Sequence, residues 1–325
     1  MQAWIDYMGE DNPDFIRNKH LNNNYGDWLF KGKETPKPLI ATAFYAYSTR
    51  LLSKMAAVIG KPDDADKYEQ LFQNIKSAFI DKFVEEDGRI MSDTQTAYVL
   101  ALHFDLLPDD MREKAARNLV RAIEESDWHI TTGFVGGPYI TETLTNAGYL
   151  DVAYRLLLNE TYPSWLYSVT QGATTIWERW DGWRHDGGFQ DPGMNSFNHY
   201  AYGAVGAWMY EDVAGIGASQ PGYKHIIIRP RPGGGLGYAK AEYDSINGKI
   251  VSDWRVADGE FVLKVEIPVN TTATVYVPAE EADRVTESGV AAKQAECVEF
   301  HGMKDGAAVF EIGSGKYEFK SRWGA

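Results

Sequence analysis

Between residues 42 and 59 the apolar side chains of Phe44, Tyr45, Tyr47, Leu51, Leu52, Met55 and Val58 return with a helical period, and Gly60 with Pro62 ends the run. A second helix is predicted at once. Asp63 and Asp64 open it, Tyr68, Leu71, Phe72, Ile75 and Phe79 form its apolar stripe, and Asp87-Gly88 marks the next turn. The same texture predicts helices over 94–104 and 109–124, the latter with Met111, Ala115, Leu119 and Ile123 on one face. Shorter ones are predicted over 139–146 and 149–158, and a last one over 198–213. Upstream, Met1, Trp4, Ile5 and Met8 sit at i, i+3, i+4 and i+7 with no capping residue before them, so the chain is expected to open inside a helix, with any targeting sequence upstream. Helical hairpins recurring at intervals of about 40 to 50 residues fit a solenoid or a closed toroid of helix pairs.

After Gly215 the period changes. His225-Ile226-Ile227-Ile228 and residues 249–255, 261–267, 273–277 and 309–312 are short β-branched or alternating segments. Asn247-Gly248, Asp258-Gly259, Asp305-Gly306 and Ser314-Gly315 are hairpin signals between them, and together they predict an antiparallel β-sandwich. The expected division is therefore a helical domain over 1–220 and a sandwich over 221–325. Gly233, Gly234, Gly235 and Gly237 do not form a nucleotide loop, because no strand-to-helix switch surrounds them.

The chain has 325 residues, 44% of them hydrophobic, enough for a sizeable core. Its formal charge of −14, with no block rich in Lys and Arg, excludes a phosphate-backbone partner, so no nucleic acid is expected. No long uncharged apolar run is present to span a membrane. The single cysteine, Cys297, forms no internal disulfide and leaves the compartment, cytoplasm or periplasm, open.

The densest chemical signal is GATTIWERWDGW over 172–183, where Trp177, Trp180 and Trp183 surround Glu178 and Asp181. Pyranose C–H faces pack on indole, and glycosidic cleavage needs carboxyl groups beside that face. The competing reading is an aromatic helix buried in a core. Two further segments stand out as loops able to meet a ligand: Tyr25-Gly26-Asp27-Trp28 and Met194-Asn195-Ser196-Phe197-Asn198-His199-Tyr200. His185 and His199 lack the compact spacing of a zinc site, and neither metal nor cofactor is expected.

Taken in order, residues 25–28, Thr132-Gly133-Phe134, Pro163-Ser164-Trp165, residues 172–181 and residues 194–201 resemble the bacterial α-L-rhamnosidases of glycoside hydrolase family 78. The resemblance runs through essentially the whole chain. It implies a partial (α/α)6 toroid followed by a β-sandwich, and hydrolysis of terminal α-L-rhamnosyl linkages, in glycosides or polysaccharides, with inversion. It assigns Glu178 as general base, against the alternative of an ion pair with its neighbour Arg179; adjacent residues on a helix or strand do not face each other. Trp28 resembles the family's sugar-stacking tryptophan and His199 the histidine that hydrogen-bonds sugar hydroxyls. Asp27, Phe134, Trp180 and Asp181 are further substrate-binding candidates, although Asp181 could equally cap a turn.

The family carries its general acid in an Asp-Glu-Arg-rich motif upstream of the region matching Tyr25, and this sequence lacks it. The resemblance thus implies about half of a six-pair toroid, weak or absent hydrolysis by the isolated chain, and apolar faces left for a second copy or for the rest of the barrel. Two other readings fit the residues: another (α/α)6 carbohydrate enzyme, or a noncatalytic carbohydrate-binding module.

Overall fold

The computed structural model describes residues 1–21 and 24–323. The chain divides into two compact units, Met1–Val205 and Gly206–Ala325.

The first unit is built of helices: α1 (Gln2–Asp11), α2 (Lys37–Val58), α3 (Pro62–Phe83), α4 (Gln95–His103), α5 (Asp109–Glu124), α6 (Ile140–Asn146), α7 (Leu150–Leu157) and α8 (Trp165–Thr170). Successive members pack as the hairpins α2/α3, α4/α5 and α6/α7. Local chemistry sets their ends. Pro62 preorganises the first turn of α3, with Asp63 and Asp64 beside its positive pole; the Thr94 hydroxyl accepts from the Ala97 N–H at 3.3 Å to cap α4, and the Ser164 hydroxyl caps α8 through Tyr167. The expected stripe of α3 is buried at Tyr68, Phe72, Ile75 and Phe79. On α2 the burial is narrower than the apolar period. Tyr45 and Leu52 are buried, but Leu51, Met55 and Val58 are exposed, because α2 packs through the small residues Ala43, Ala46, Thr49, Ser53 and Ala56.

Residues 172–183 are a loop, as the sequence reading has it, and not the competing buried helix: a run of turns ending in the short antiparallel pair β1 (Trp183–Arg184) and β2 (Gly188–Phe189). One expectation for this unit changes. The helix expected over 198–213 is a 3-10 turn at Ala201–Ala204, four α-helical residues at Val205–Trp208 and a π-helical turn at Met209–Val213.

The second unit holds two sheets. One has six strands in the order β10 (Val290–Ala291), β9 (Thr286–Glu287), β13 (Gly315–Arg322), β7 (Glu260–Ile267), β6 (Gly248–Ala257) and β5 (Tyr238–Ser245). The other has five, in the order β11 (Val298–Lys304), β12 (Ala307–Ile312), β8 (Thr272–Pro278), β4 (His225–Ile228) and β3 (Ile216–Ala218). Phe310 of one sheet stacks on Phe319 of the other at 5.5 Å, and Trp254, Phe261, Val275 and Val277 fill the space around them. Among the described residues the pairing is antiparallel with one exception: β4 runs parallel to β8, from His225 opposite Thr272 to Ile228 opposite Val275. The boundary expected after residue 220 falls earlier. β3 is an edge strand of the second unit, and the carbonyls of Val213 and Ala214 accept from the Trp254 indole (2.7 Å) and the Ser252 hydroxyl (2.6 Å) of β6.

Candidate active site

Loops between the hairpins carry the site. Asp27 is buried, and its carboxylate accepts the N–H groups of Gly133 (2.7 Å), Val135 (2.8 Å) and Gly136 (3.2 Å) and the hydroxyl of Thr96 on α4. This joins the 25–31 loop to the 131–137 loop. Two backbone bonds complete the seam, from the Phe134 N–H to the Trp28 carbonyl (2.9 Å) and from the Lys31 N–H to the Thr131 carbonyl (2.8 Å). Gly133 is required by the approach, since a Cβ there would stand 2.1 Å from the Trp28 carbonyl oxygen. Burial pushes the Asp27 carboxyl above its usual range, against the four hydrogen bonds that pull it down.

A second seam fixes Glu178. Its N–H donates to the Ser196 carbonyl at 2.8 Å, and the Ser196 N–H donates back to Glu178 Oε2 at 2.8 Å. The His199 N–H donates to the Ile176 carbonyl at 2.9 Å, and the Thr175 hydroxyl to the Phe197 carbonyl. The carboxylate is thus clamped through one oxygen, and no hydrogen bond to Oε1 is found among the described residues. Arg179 does not pair with Glu178: its Nε donates to Asp181 Oδ1 at 3.2 Å.

The two seams meet through aromatic rings. Phe134 stacks on His199 at 4.8 Å, and His199 stacks on Tyr200 at 5.2 Å. The Ala201 N–H donates to His199 Nδ1 at 3.3 Å, which places the proton of the neutral imidazole on Nε2 and leaves that nitrogen as a donor. Trp28 is 37% exposed, with Tyr25 edge-on at 5.6 Å, so it is no core tryptophan. Phe134 and His199 are in direct ring contact, Trp28 is joined to Phe134 by the backbone bond, and Glu178 is joined to His199 through the paired backbones of 176–178 and 196–199.

Three expected substrate contacts lie behind that surface instead. Asp27 has every approach taken by the donors named above. Trp180 is 4% exposed, stacks on Tyr202 at 3.7 Å and gives its indole N–H to the Thr132 carbonyl at 3.0 Å. Asp181 caps no turn; it is buried and accepts from Lys31 Nζ (3.2 Å), Arg179 Nε and Gln190 Nε2 (2.8 Å). Burial opposes its charge, but Lys31 and Arg179 outweigh burial and hold the carboxyl below the usual range. These groups fasten the loops from beneath. Lys31 and Thr96 escaped the sequence reading, and Ser196 was named only as part of its loop, because a backbone clamp and a pairing between positions 31 and 181 leave no periodic signal. Among the described residues no group of three or more His, Cys, Asp or Glu side chains is placed to hold a metal ion.

Helical hairpins whose loops present a half-open tryptophan, an imidazole and a clamped carboxylate define a hairpin-built domain with its polar groups gathered on the loops. The comparisons with known proteins give the family. Residues 1–213 match the bacterial alpha-L-rhamnosidase 6 hairpin glycosidase domain and residues 215–292 the bacterial alpha-L-rhamnosidase C-terminal domain, and the chain belongs to this family. It is 47% identical over 319 residues to an α-L-rhamnosidase of Streptomyces avermitilis, an alignment covering 98% of this chain and 30% of that protein. It is 36% identical to one of Alteromonas sp., covering 96% of this chain and 35% of the relative. The crystal structure of the Streptomyces avermitilis α-L-rhamnosidase complexed with L-rhamnose superposes with a TM-score of 0.92 at 46% identity, over 99% of this chain and 30% of that one. The chain spans about a third of the length of the curated relatives it matches.

Proposed function

We propose that the chain carries the general-base side of an inverting α-L-rhamnosidase acting on terminal rhamnosyl groups of glycosides or polysaccharides. The observation that carries this is the clamp on Glu178: Ser196 holds Oε2, while Oε1 takes no protein donor among the described residues and can accept from a water. Inversion needs such a base on the face of the sugar opposite the leaving group, with roughly 6.5–9.5 Å between the two carboxyl groups. Trp28 and Phe134 give an apolar wall suited to a sugar whose C6 is a methyl group, and His199 Nε2 gives a hydroxyl donor. The relative solved with L-rhamnose supports the sugar.

Of the three carboxylates in the site loops, Asp27 and Asp181 are saturated by donors, so neither serves as general acid. That proton donor belongs to a part of a longer protein that this chain does not contain, in keeping with the share of its relatives that it covers. The remaining hairpins of such a toroid would pack on the exposed apolar residues Met1, Trp4, Met55, Val58 and Ile59.

A leaving group that needs no protonation tests this. The 325-residue chain should hydrolyse α-L-rhamnosyl fluoride to β-L-rhamnose, visible by NMR, and lose that turnover in Glu178→Gln. Methyl α-L-rhamnoside, which needs the acid, should react at least about 10²-fold more slowly. Fluoride turnover unchanged in Glu178→Gln, or an α product formed first, overturns the assignment.

A further inference from the structure

The ring ladder that includes His199 does not stop at the sugar contacts. Phe134, His199 and Tyr200 succeed one another at 4.8 and 5.2 Å with interplanar angles of 28° and 12°, and the outermost ring, Tyr200, is 85% exposed. Its backbone is not free: Tyr200 directly follows His199, whose N–H is bonded to Ile176, and its carbonyl accepts from the Gly203 N–H at 2.9 Å. An exposed ring lying parallel to a site histidine, on a backbone that is itself tied down, offers its outer face as a stacking surface.

Resting on the rhamnosidase reading above, we propose that Tyr200 forms the aglycone subsite and selects leaving groups that present a flat ring. A terminal sugar that fills the inner contacts has only one portion left to extend toward water, the group it is bonded to. Tyr200 is the solvent end of the ladder. The distance between its ring and that of His199 is also about the spacing at which a neighbouring planar ring would meet it. The ligand class is thus an aryl rhamnoside, or a rhamnoside whose next sugar offers an apolar face.

The test compares two probes on the full chain by calorimetry: free L-rhamnose and the non-hydrolysable phenyl 1-thio-α-L-rhamnoside. Tyr200→Ala should weaken the phenyl thioglycoside by about 3- to 10-fold and leave L-rhamnose unchanged, whereas Tyr200→Phe should match the wild type on both. Trp28→Ala should weaken both probes. Because Tyr200 is a surface side chain, its loss should not disturb folding, and an unchanged far-UV spectrum checks this. Equal loss on both probes, or none on the thioglycoside, overturns the aglycone role while leaving the sugar site standing. A wild-type chain that binds neither probe sinks the reading of the site, and this inference with it.

Discussion

Along β7 of the sandwich, Phe261, Leu263, Val265 and Ile267 are buried while Lys264 is exposed, so the alternation written in the sequence is the alternation found in space. The site loop 176–182 works differently. Ile176 is exposed, Trp177 buried, Glu178 half-buried, and Trp180, Asp181 and Gly182 all buried, an order that follows no period. In the strand the pleat decides which side chain meets the core. In the loop the decision is made by partners far away in the chain: Thr132 for Trp180, Lys31 for Asp181 and Ser196 for Glu178. Side chains of the same type therefore differ in role according to contacts that adjacent residues cannot reveal.

Deleting the largest sandwich side chain should give the largest effect. Trp254 is fully buried and its indole N–H is bonded to the Val213 carbonyl. Trp254→Ala should cost about 3–5 kcal/mol in urea unfolding, as large-to-small changes in packed cores do. A loss below about 1 kcal/mol would show that the sheet packing is looser than the burial indicates.

Asp27 should come next, and it tests the loop half of the contrast. Asp27→Ala leaves three N–H groups and the Thr96 hydroxyl without their acceptor in a largely buried place, for a loss of about 3 kcal/mol, while Thr96→Val removes one donor and should cost about 1 kcal/mol. If both variants unfold like the wild type, the two loops are held by something other than this carboxylate.

The helices were legible because α3 and α5 combine stop signals with periodic stripes, and the strands because β-branched alternation lies between Gly turns. The parallel β4/β8 pair was not, since hairpin signals report only neighbours in sequence, and β4 and β8 are separated by three strands. At the site the sequence named Trp180 and Asp181 with no sign of their burial. Trp180 and Asp181 carry the same residue types as a sugar contact, and only the stacking on Tyr202 and the pairing with Lys31 show that they face inward.

Lys31 gives a smaller and pH-dependent effect. Since Lys31 and Arg179 hold the Asp181 carboxyl below its usual range, this group adds stability above the ordinary carboxylate value, and the gain is lost as pH falls through the depressed one. Lys31→Met should therefore be about 1 kcal/mol less stable near pH 6, with a difference that shrinks as pH falls below the ordinary carboxylate range and acid unfolding starting at higher pH. A difference independent of pH would assign the effect to the lysine stem and its contact with the Tyr162 ring, 4.9 Å away, rather than to charge.

Glu178→Gln should produce the smallest change in stability and the sharpest separation between the two kinds of acid in the loops. The glutamine amide oxygen can still accept the Ser196 N–H, and the backbone bond from position 178 to the Ser196 carbonyl is untouched. Glu178 is half-buried and, unlike Asp181, is bonded to a neutral donor, so no cation loses its partner. Urea unfolding should shift by no more than about 0.5 kcal/mol, the range of substitutions that break no buried network. Turnover of α-L-rhamnosyl fluoride should nevertheless fall by about 10²- to 10⁴-fold, because an amide cannot take the proton of the attacking water. A large loss of stability would place Glu178 with Asp27 among the fasteners. Little loss of either stability or turnover would leave the clamp on Ser196 without a chemical purpose.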